Sequence, residues 1–310
     1  MSAKANNCVR IVGICALLAG FLASLAAAEK EVAKRGSVRI GLMNSLFRDT
    51  PDALRQAMMA PFKTLMESQT GIRGELEAAP SAHDLGLKLN ENKVQLGVFS
   101  GVEFGWAQQE FPKLKPLMIA VNKRHELIAH IVILNDSKLK DFSELHNQTV
   151  ALPRPSRQHC HLFFEHCQQE AKRQRPDFKI QVTTPAGTEA ALDDLIRGKV
   201  QACVADGVVL ESYKREKPGS YEKLKTLKKS EAFPPGVVAH VPGVLDEETL
   251  TRFRKGMTRA HETAVGKQLL AMSGVTGFEN VPADYQKMVN EIVKLYPAPT
   301  SQEQGASARH

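Results

Sequence analysis

Apolar residues along the chain gather in short uninterrupted runs, separated by stretches in which they recur every three or four positions. That is the alternation of buried strands with amphipathic helices. The run SVRIGLM at 37–43 predicts a buried strand, and 49–71 predicts a helix. In that helix Leu54, Met58, Phe62, Leu65 and Met66 share a face, Asp49 or Thr50 can cap the start, Pro51 suits the first turn and Gly71 ends it. Its methionines read as core packing. A strand at 72–80 and a short helix at 81–93 follow, then VQLGVFSGVEFGWA, a buried strand entering a turn and helix. Two more strands are predicted at 114–121 and 126–137, a helix at 139–147 and a strand at 149–153. After a His- and Cys-rich segment come a strand at 178–184, a helix at 188–198 and a strand at 200–207. The stretch from 246 to 296 reads as helical, with one or two amphipathic helices in 246–274, and 298–310 as a disordered tail. Strands alternating with helices at this pace define an α/β fold with mainly parallel sheets. No internal repeat is visible.

The first residues stand apart from this pattern. Lys4 and Arg10 precede the apolar run IVGICALLAGFLASLAAA, the layout of a secretory signal peptide at 1–28, with Ala26 and Ala28 as the small residues before a cut that leaves Glu29 first. Retention as an uncleaved anchor and lipidation at Cys15 are the alternatives. The run is short against the ~20 residues of a membrane span, and Ile14 rather than a small residue precedes the cysteine. With 310 residues, 43% hydrophobic and 24% charged, the chain can bury a sizeable core as one domain of two lobes or as two domains. Loss of 1–28 removes two of the 41 basic residues and none of the 34 acidic ones, a mild surplus of five. The basic run KLKTLKK at 223–229 has no interleaved aromatics, so it reads as a solvated strand and turn, not a nucleic-acid surface. Cys160, Cys167 and Cys203 are an odd number for an exported chain, so at least one stays unpaired. Cys160 and Cys167 on one helix lie two turns apart, beyond disulfide reach, which leaves Cys203 free to pair with either.

The order of elements resembles the type II periplasmic substrate-binding proteins, and among them the phosphate-, phosphite- and phosphonate-binding components of ABC importers. The resemblance spans roughly 37–295. It is carried by RIGLMNSLFRDTPDALRQAMMAPFKTLMESQTGI, by LGVFSGVEFGWA, by LIRGKVQACVAD and, most specifically, by DSKLKDFSELHNQTVA. It implies two α/β lobes, 36–123 plus 230–297 and 124–229, joined by two crossing hinge strands around a ligand cleft. It implies a periplasmic monomer that closes on a small oxyanion for an ABC permease of the inner membrane, with no cofactor and no nucleic acid. Ligands of open α/β sheets sit beyond the carboxyl ends of strands, where helix N-termini present backbone N–H groups, and such places suit anions.

The resemblance also nominates ligand-binding residues. After TVALP the family has a Ser- and Thr-rich loop leading into a helix whose N-terminus grips phosphonate oxygens. Here Ser156 keeps a hydroxyl, while Arg157, Gln158 and His159 replace the expected Thr, Ser and Gly. Arg157 brings a planar fork for an oxyanion, and His159 falls near the cleft. Phe104 takes the place of the family's Tyr, keeping a stacking face without the hydroxyl, and Thr188 stands near where a His is often found. Asp206 matches an Asp that faces the ligand's ammonium in aminophosphonate binders, or else caps a helix. Ser45 and Ser100 follow strand ends, as hydrogen-bond donors or as turn residues.

The segment RQHCHLFFEHC at 157–167 invites a metal reading. On a helix, however, His161 and Glu165 share one face while Cys160, Phe164 and Cys167 share another, so they do not converge on one ion. Metal binding there, and a sensor of the same fold reporting to a membrane partner, are the alternatives to transport. Cys160, His161 and Asp206 lack a nucleophile elbow or enzyme signature, so no enzyme is indicated.

Overall fold

In the computed structural model, residues 37–47, 52–272 and 274–299 are described, except for the side chains of 52–58 and Met272. The signal segment, the caps at Asp49 and Thr50, Pro51, the side chains of Leu54 and Met58, and the tail beyond Pro299 lie outside them.

The described residues build two sheets. The first holds β1 (Val38–Met43), β2 (Gly74–Ala79), β3 (Leu96–Phe99), β4 (Lys115–Val121), β10 (Gly236–His240) and β11 (Gly277–Glu279), in the order β11-β4-β10-β3-β1-β2. The second holds β5 (Ala129–Leu134), β6 (Thr149–Ala151), β7 (Gln181–Thr183), β8 (Ala202–Asp206) and β9 (Leu224–Lys229), in the order β7-β6-β8-β5-β9. The helices are α1 (Asp52–Thr70), α2 (Ala82–Asn90), α3 (Gly101–Glu110), α4 (Gln158–Gln174), α5 (Thr188–Ile196), α6 (Gly207–Glu216), α7 (Pro218–Tyr221), α8 (Glu247–Thr258), α9 (Ala264–Met272) and α10 (Tyr285–Leu295).

The two-sheet α/β architecture agrees with the sequence pattern, but the strands are not mainly parallel. β1 and β3 run parallel, as do β6 with β7 and with β8. β10 runs against both β3 and β4, β11 against β4, and β5 against both β8 and β9. A parallel neighbour needs a crossover, usually helical. The chain instead passes straight from β4 to β5 and from β9 to β10 as it moves between sheets, so the strands at these passages enter antiparallel. Two further expectations change. The helix at 139–147 is only a 3₁₀ turn, Phe142–Leu145, capped by Asp141 and closed by Asn147 at φ +60°. The helical reading of 246–296 missed β11, a strand of three residues, too short for its period to stand out.

Period-two alternation explains why β5 and β8 read as unbroken apolar runs. Ile131, Ile133, Ala202 and Val204 face one core, with Phe163 and Phe164 of α4. Val132, Cys203 and Ala205 face another, with Leu192 and Leu195 of α5. Both faces are covered, and each fully buried Leu, Val or Phe contributes about 1.5–3 kcal/mol. In the six-stranded half, α2 packs on α3, α3 on α10, and α1 on α8 and α9. Trp106 of α3 donates from Nε1 to the carbonyl of Tyr296 at 2.8 Å, and Tyr285 of α10 donates to that of Pro235 at 3.1 Å. Among the described residues no helix is long and apolar enough to cross a membrane.

The two segments that pass between the sheets are bonded to each other. Leu127 and Phe233 exchange backbone hydrogen bonds at 2.9 Å each way. The Ser230 hydroxyl accepts from Ala129 N at 3.0 Å, and Ser230 N donates to the carbonyl of Ala129 at 2.9 Å. Gly101 fits where this ribbon presses on α3, for a Cβ there would lie 2.4 Å from the Pro234 carbonyl oxygen and 2.7 Å from that of Pro235.

Candidate functional site

The parallel pairs locate the site. The carboxyl ends of β1 and β3 release Ser45 and Ser100, the ends of β6 and β8 release Ser156 to His159 and Asp206, and β7 leads to Thr188. Every nominated position except Phe104 therefore lies at or beyond the end of a strand that has a parallel partner, where an α/β sheet leaves room for a ligand.

In the six-stranded half, Ser100 caps α3 through a complete capping box with Glu103. Glu103 is only 3% exposed. Its Oε2 accepts from the Ser100 hydroxyl at 2.6 Å, from Ser100 N at 3.2 Å and from the Ser45 hydroxyl at 2.8 Å. Phe104 turns away: it is fully buried against Phe99 and Tyr285, with ring centroids at 6.1 and 6.4 Å. The stacking face expected of it belongs to the core, because the ring fills the space between β3 and α10.

In the five-stranded half, Asp206, His159 and Arg157 converge. Asp206 caps α6, with Oδ1 accepting from Val208 N at 2.8 Å. Its Oδ2 faces His159 Nε2 at 3.6 Å and Arg157 Nε at 3.7 Å. Both distances exceed a hydrogen bond, so Asp206 Oδ2 faces both groups without bonding either. His159 is buried beside the Phe233 ring at 5.8 Å and is held neutral. Burial above all lowers its pKa to about 4, Arg157 and His130 push the same way, and Asp206 opposes them. Arg157 is the N-cap residue of α4 but makes no side-chain cap bond, and its Nη2 donates to the carbonyl of Gly274. Ser156 lies in the turn just before, its N–H bonded to the carbonyl of Pro153 at 3.0 Å. Thr188 opens α5, whose N-cap Gly187 likewise makes no side-chain cap bond. Its loop is tied to the 152–157 loop by Arg154 N donating to the Pro185 carbonyl at 2.9 Å.

The structure thus forms two groups, Ser45 with Ser100 and Arg157 with His159 and Asp206, with Ser156 in the turn before α4 and Thr188 at the start of α5. Sequence reasoning missed Glu103, although Ser100-Gly-Val-Glu103 has capping-box spacing. It also missed Gly274 and Phe233, which only the fold brings near. Elsewhere in the His/Cys segment His166 lies 3.3 Å from Glu170 and 5.2 Å from the Tyr296 ring, and Cys160 and Cys167, like Cys203 of β8, are buried free thiols. Cys203 therefore pairs with neither of the other two. Among the described residues no three His, Cys, Asp or Glu side chains are grouped to hold a metal ion.

Two sheets linked by a double crossing, with candidate residues at strand ends on both, describe a two-lobed periplasmic binding fold. The chain belongs to the family of periplasmic substrate-binding proteins of phosphonate ABC transporters, whose model matches residues 48–285. That family works in transport with a permease and is not an enzyme family. The fold is similar to that of XAC2383 from Xanthomonas citri, solved with chloride and with ATP, at 15% identity and TM-score 0.57 over 87% of this chain and 98–99% of that one. It is similar to PA3383 of Pseudomonas aeruginosa, a binding protein component of an ABC phosphonate transporter, at 14% identity and TM-score 0.53 over 88% and 93% of the two chains. PhnD1 from Prochlorococcus marinus in complex with methylphosphonate aligns at 14% identity and TM-score 0.54 over 83% of this chain and 97% of that one. A search of curated proteins returns no match.

Proposed function

We propose that the protein captures a small phosphorus oxyanion, phosphate, phosphite or a phosphonate, between lobes 36–123 plus 230–297 and 124–229, and presents it to an ABC permease as a periplasmic monomer. The observation that supports this most is the start of α4. It opens at the end of β6 without a side-chain cap, with Arg157 at its mouth and Ser156 beside it. A helix N-terminus carries roughly half a positive charge on its first N–H groups, and the guanidinium adds a full one in a geometry suited to two oxygens. α3 and α6, by contrast, are capped by their own side chains, and α5, also without a side-chain cap, carries Glu189 in its first turn, so the oxyanion belongs on α4 and its remaining substituent near Asp206. Methylphosphonate in PhnD1 is a ligand of this size and charge. Capture on one lobe followed by bending of the Leu127–Phe233 ribbon would close the other over it.

A thermal-shift panel on metal-stripped protein with phosphate, phosphite, methylphosphonate, sulfate, Zn²⁺ and Cu²⁺ tests this. A ligand at 1,000 times its Kd adds about 4 kcal/mol to stability. Stabilisation by a phosphorus oxyanion that disappears in Arg157→Ala supports the reading. Stabilisation by metal alone would overturn it.

A further inference from the structure

We infer that Glu103 sets the ligand preference of the six-stranded lobe, making it a hydrogen-bond acceptor surface that takes a donor group, an ammonium or the O–H of a partly protonated oxyacid, in preference to a bare oxyanion. This rests on the oxyanion reading above and narrows it. The argument is a count of hydrogens. A serine hydroxyl has one proton and two lone pairs, and a carboxylate only accepts. The proton of Ser100 goes to Glu103 Oε2 at 2.6 Å and that of Ser45 to the same oxygen at 2.8 Å. Ser100 N–H also points at Oε2, at 3.2 Å, and Glu103 N–H at Ser100 Oγ, at 3.4 Å. Neither hydroxyl therefore has a proton left for a ligand oxygen, while each keeps a lone pair that can accept.

The position makes this a matter of specificity. Both serines sit at the carboxyl ends of the adjacent parallel strands β1 and β3, where the family's ligand cleft is expected. Glu103 holds them from the third residue of α3, buried to 3% exposure. Across the proposed cleft, Asp206 offers a second acceptor and α4 the positive end. Such a site matches a ligand that is an anion at one end and a donor at the other. A sulfate ion, which has no proton to give at neutral pH, matches only half of it.

The test is calorimetric titration of the full-length protein at pH 7.5 with 2-aminoethylphosphonate, ethylphosphonate, phosphate and sulfate, in the wild type, Glu103→Ala, Glu103→Gln and Arg157→Ala. The wild type is expected to bind 2-aminoethylphosphonate or phosphate at least tenfold more tightly than sulfate. Preference for the aminated over the plain phosphonate identifies an ammonium, and preference for phosphate over sulfate an acid O–H. Glu103→Ala frees both serine hydroxyls, so the gap should shrink at least tenfold, with sulfate gaining. If that variant does not fold, Glu103→Gln keeps the capping box and its acceptor oxygen but removes the negative charge that favours a donor group over a bare oxyanion, so the gap should shrink in the same direction by a smaller factor. Equal wild-type affinities, or an order unchanged in the folded Glu103 variants while Arg157→Ala weakens every ligand, would overturn the role of Glu103 alone. No binding by any of the four, or binding indifferent to Arg157, would overturn the oxyanion reading and this inference with it.

Discussion

Arg157, at the start of α4 in the five-stranded lobe, donates from Nη2 to the backbone carbonyl of Gly274, which lies between α9 and β11 in the six-stranded lobe. The residue nominated to clamp the ligand therefore already bonds across the lobes. Its Nε stands 3.7 Å from Asp206 Oδ2, so a ligand oxygen bound by the guanidinium would replace these contacts. Arg157→Ala is expected to weaken oxyanion binding by about 1.5–3 kcal/mol, the worth of a hydrogen bond to a charged group. Arg157→Lys should not restore it, because an ammonium lacks the planar fork. Titration calorimetry of the two variants checks both statements, and an unchanged Kd would remove Arg157 from the site.

His159 gives the fold a defined acid sensitivity. Its pKa is about 4 in the folded protein, mainly through burial, against 6.5 when unperturbed. Below 6.5 the unfolded chain takes up a proton that the folded chain refuses until about pH 4. Stability is thus full above 6.5 and falls as pH drops through that window, by up to about 3 kcal/mol from this residue. Melting temperatures between pH 7.5 and 4 should fall less steeply in His159→Gln than in the wild type.

Asp206 caps α6, and substitution can separate that from the cleft role proposed for it. As the N-cap of α6 it contributes roughly 1 kcal/mol of stability, and as an acceptor in the cleft it would meet a ligand ammonium. Asp206→Ala should lower stability by that amount and weaken aminophosphonates more than phosphate, while Asp206→Ser keeps a cap and should lose only the ligand effect. Equal losses for both ligands in Asp206→Ser would make its role structural.

Gly101 is where α3 meets the crossing ribbon. A Cβ there would lie 2.4 Å from a backbone oxygen that cannot move aside alone. Gly101→Ala is expected to destabilise by about 1–3 kcal/mol, as overpacking does, with the loss read from denaturant midpoints.

The three described cysteines should be inert in the native state. Burial pushes the Cys167 thiol up to about 12 and raises those of Cys160 and Cys203 as well. Thiol titration should find none of the three reactive at neutral pH and all three after unfolding. A disulfide on non-reducing peptide mapping would contradict the structure.

The α/β class, the strand and turn at Ser100, and the basic strand at 223–229 were legible because each rests on a local period or a cap. β10 at 236–240 was not read as a strand, and its direction depends on which neighbours it finds after some hundred residues of intervening chain. Phe104 misled for a related reason: aromatic type and position in a motif do not say which face of α3 meets Tyr285. Arg157 and Asp206 could be singled out one at a time. Their shared point with His159 depends on β6 and β8 being adjacent, and the carbonyl of Gly274 leaves no trace in residue type at all.

The strand order of the larger sheet has a consequence for how the protein assembles. β10 lies between β3 and β4, yet it is made only after all five strands of the other sheet. A nascent chain ending before Gly236 holds every strand of the smaller sheet, while the larger one still has a gap at its middle. Contacts of such long sequence separation form late, because the chain between them must be ordered first. The smaller lobe can thus fold as a contiguous piece, with β3 and β4 exposing unpaired edges until β10 arrives. Those edges are where a folding chain of this kind is most open to mispairing with its neighbours.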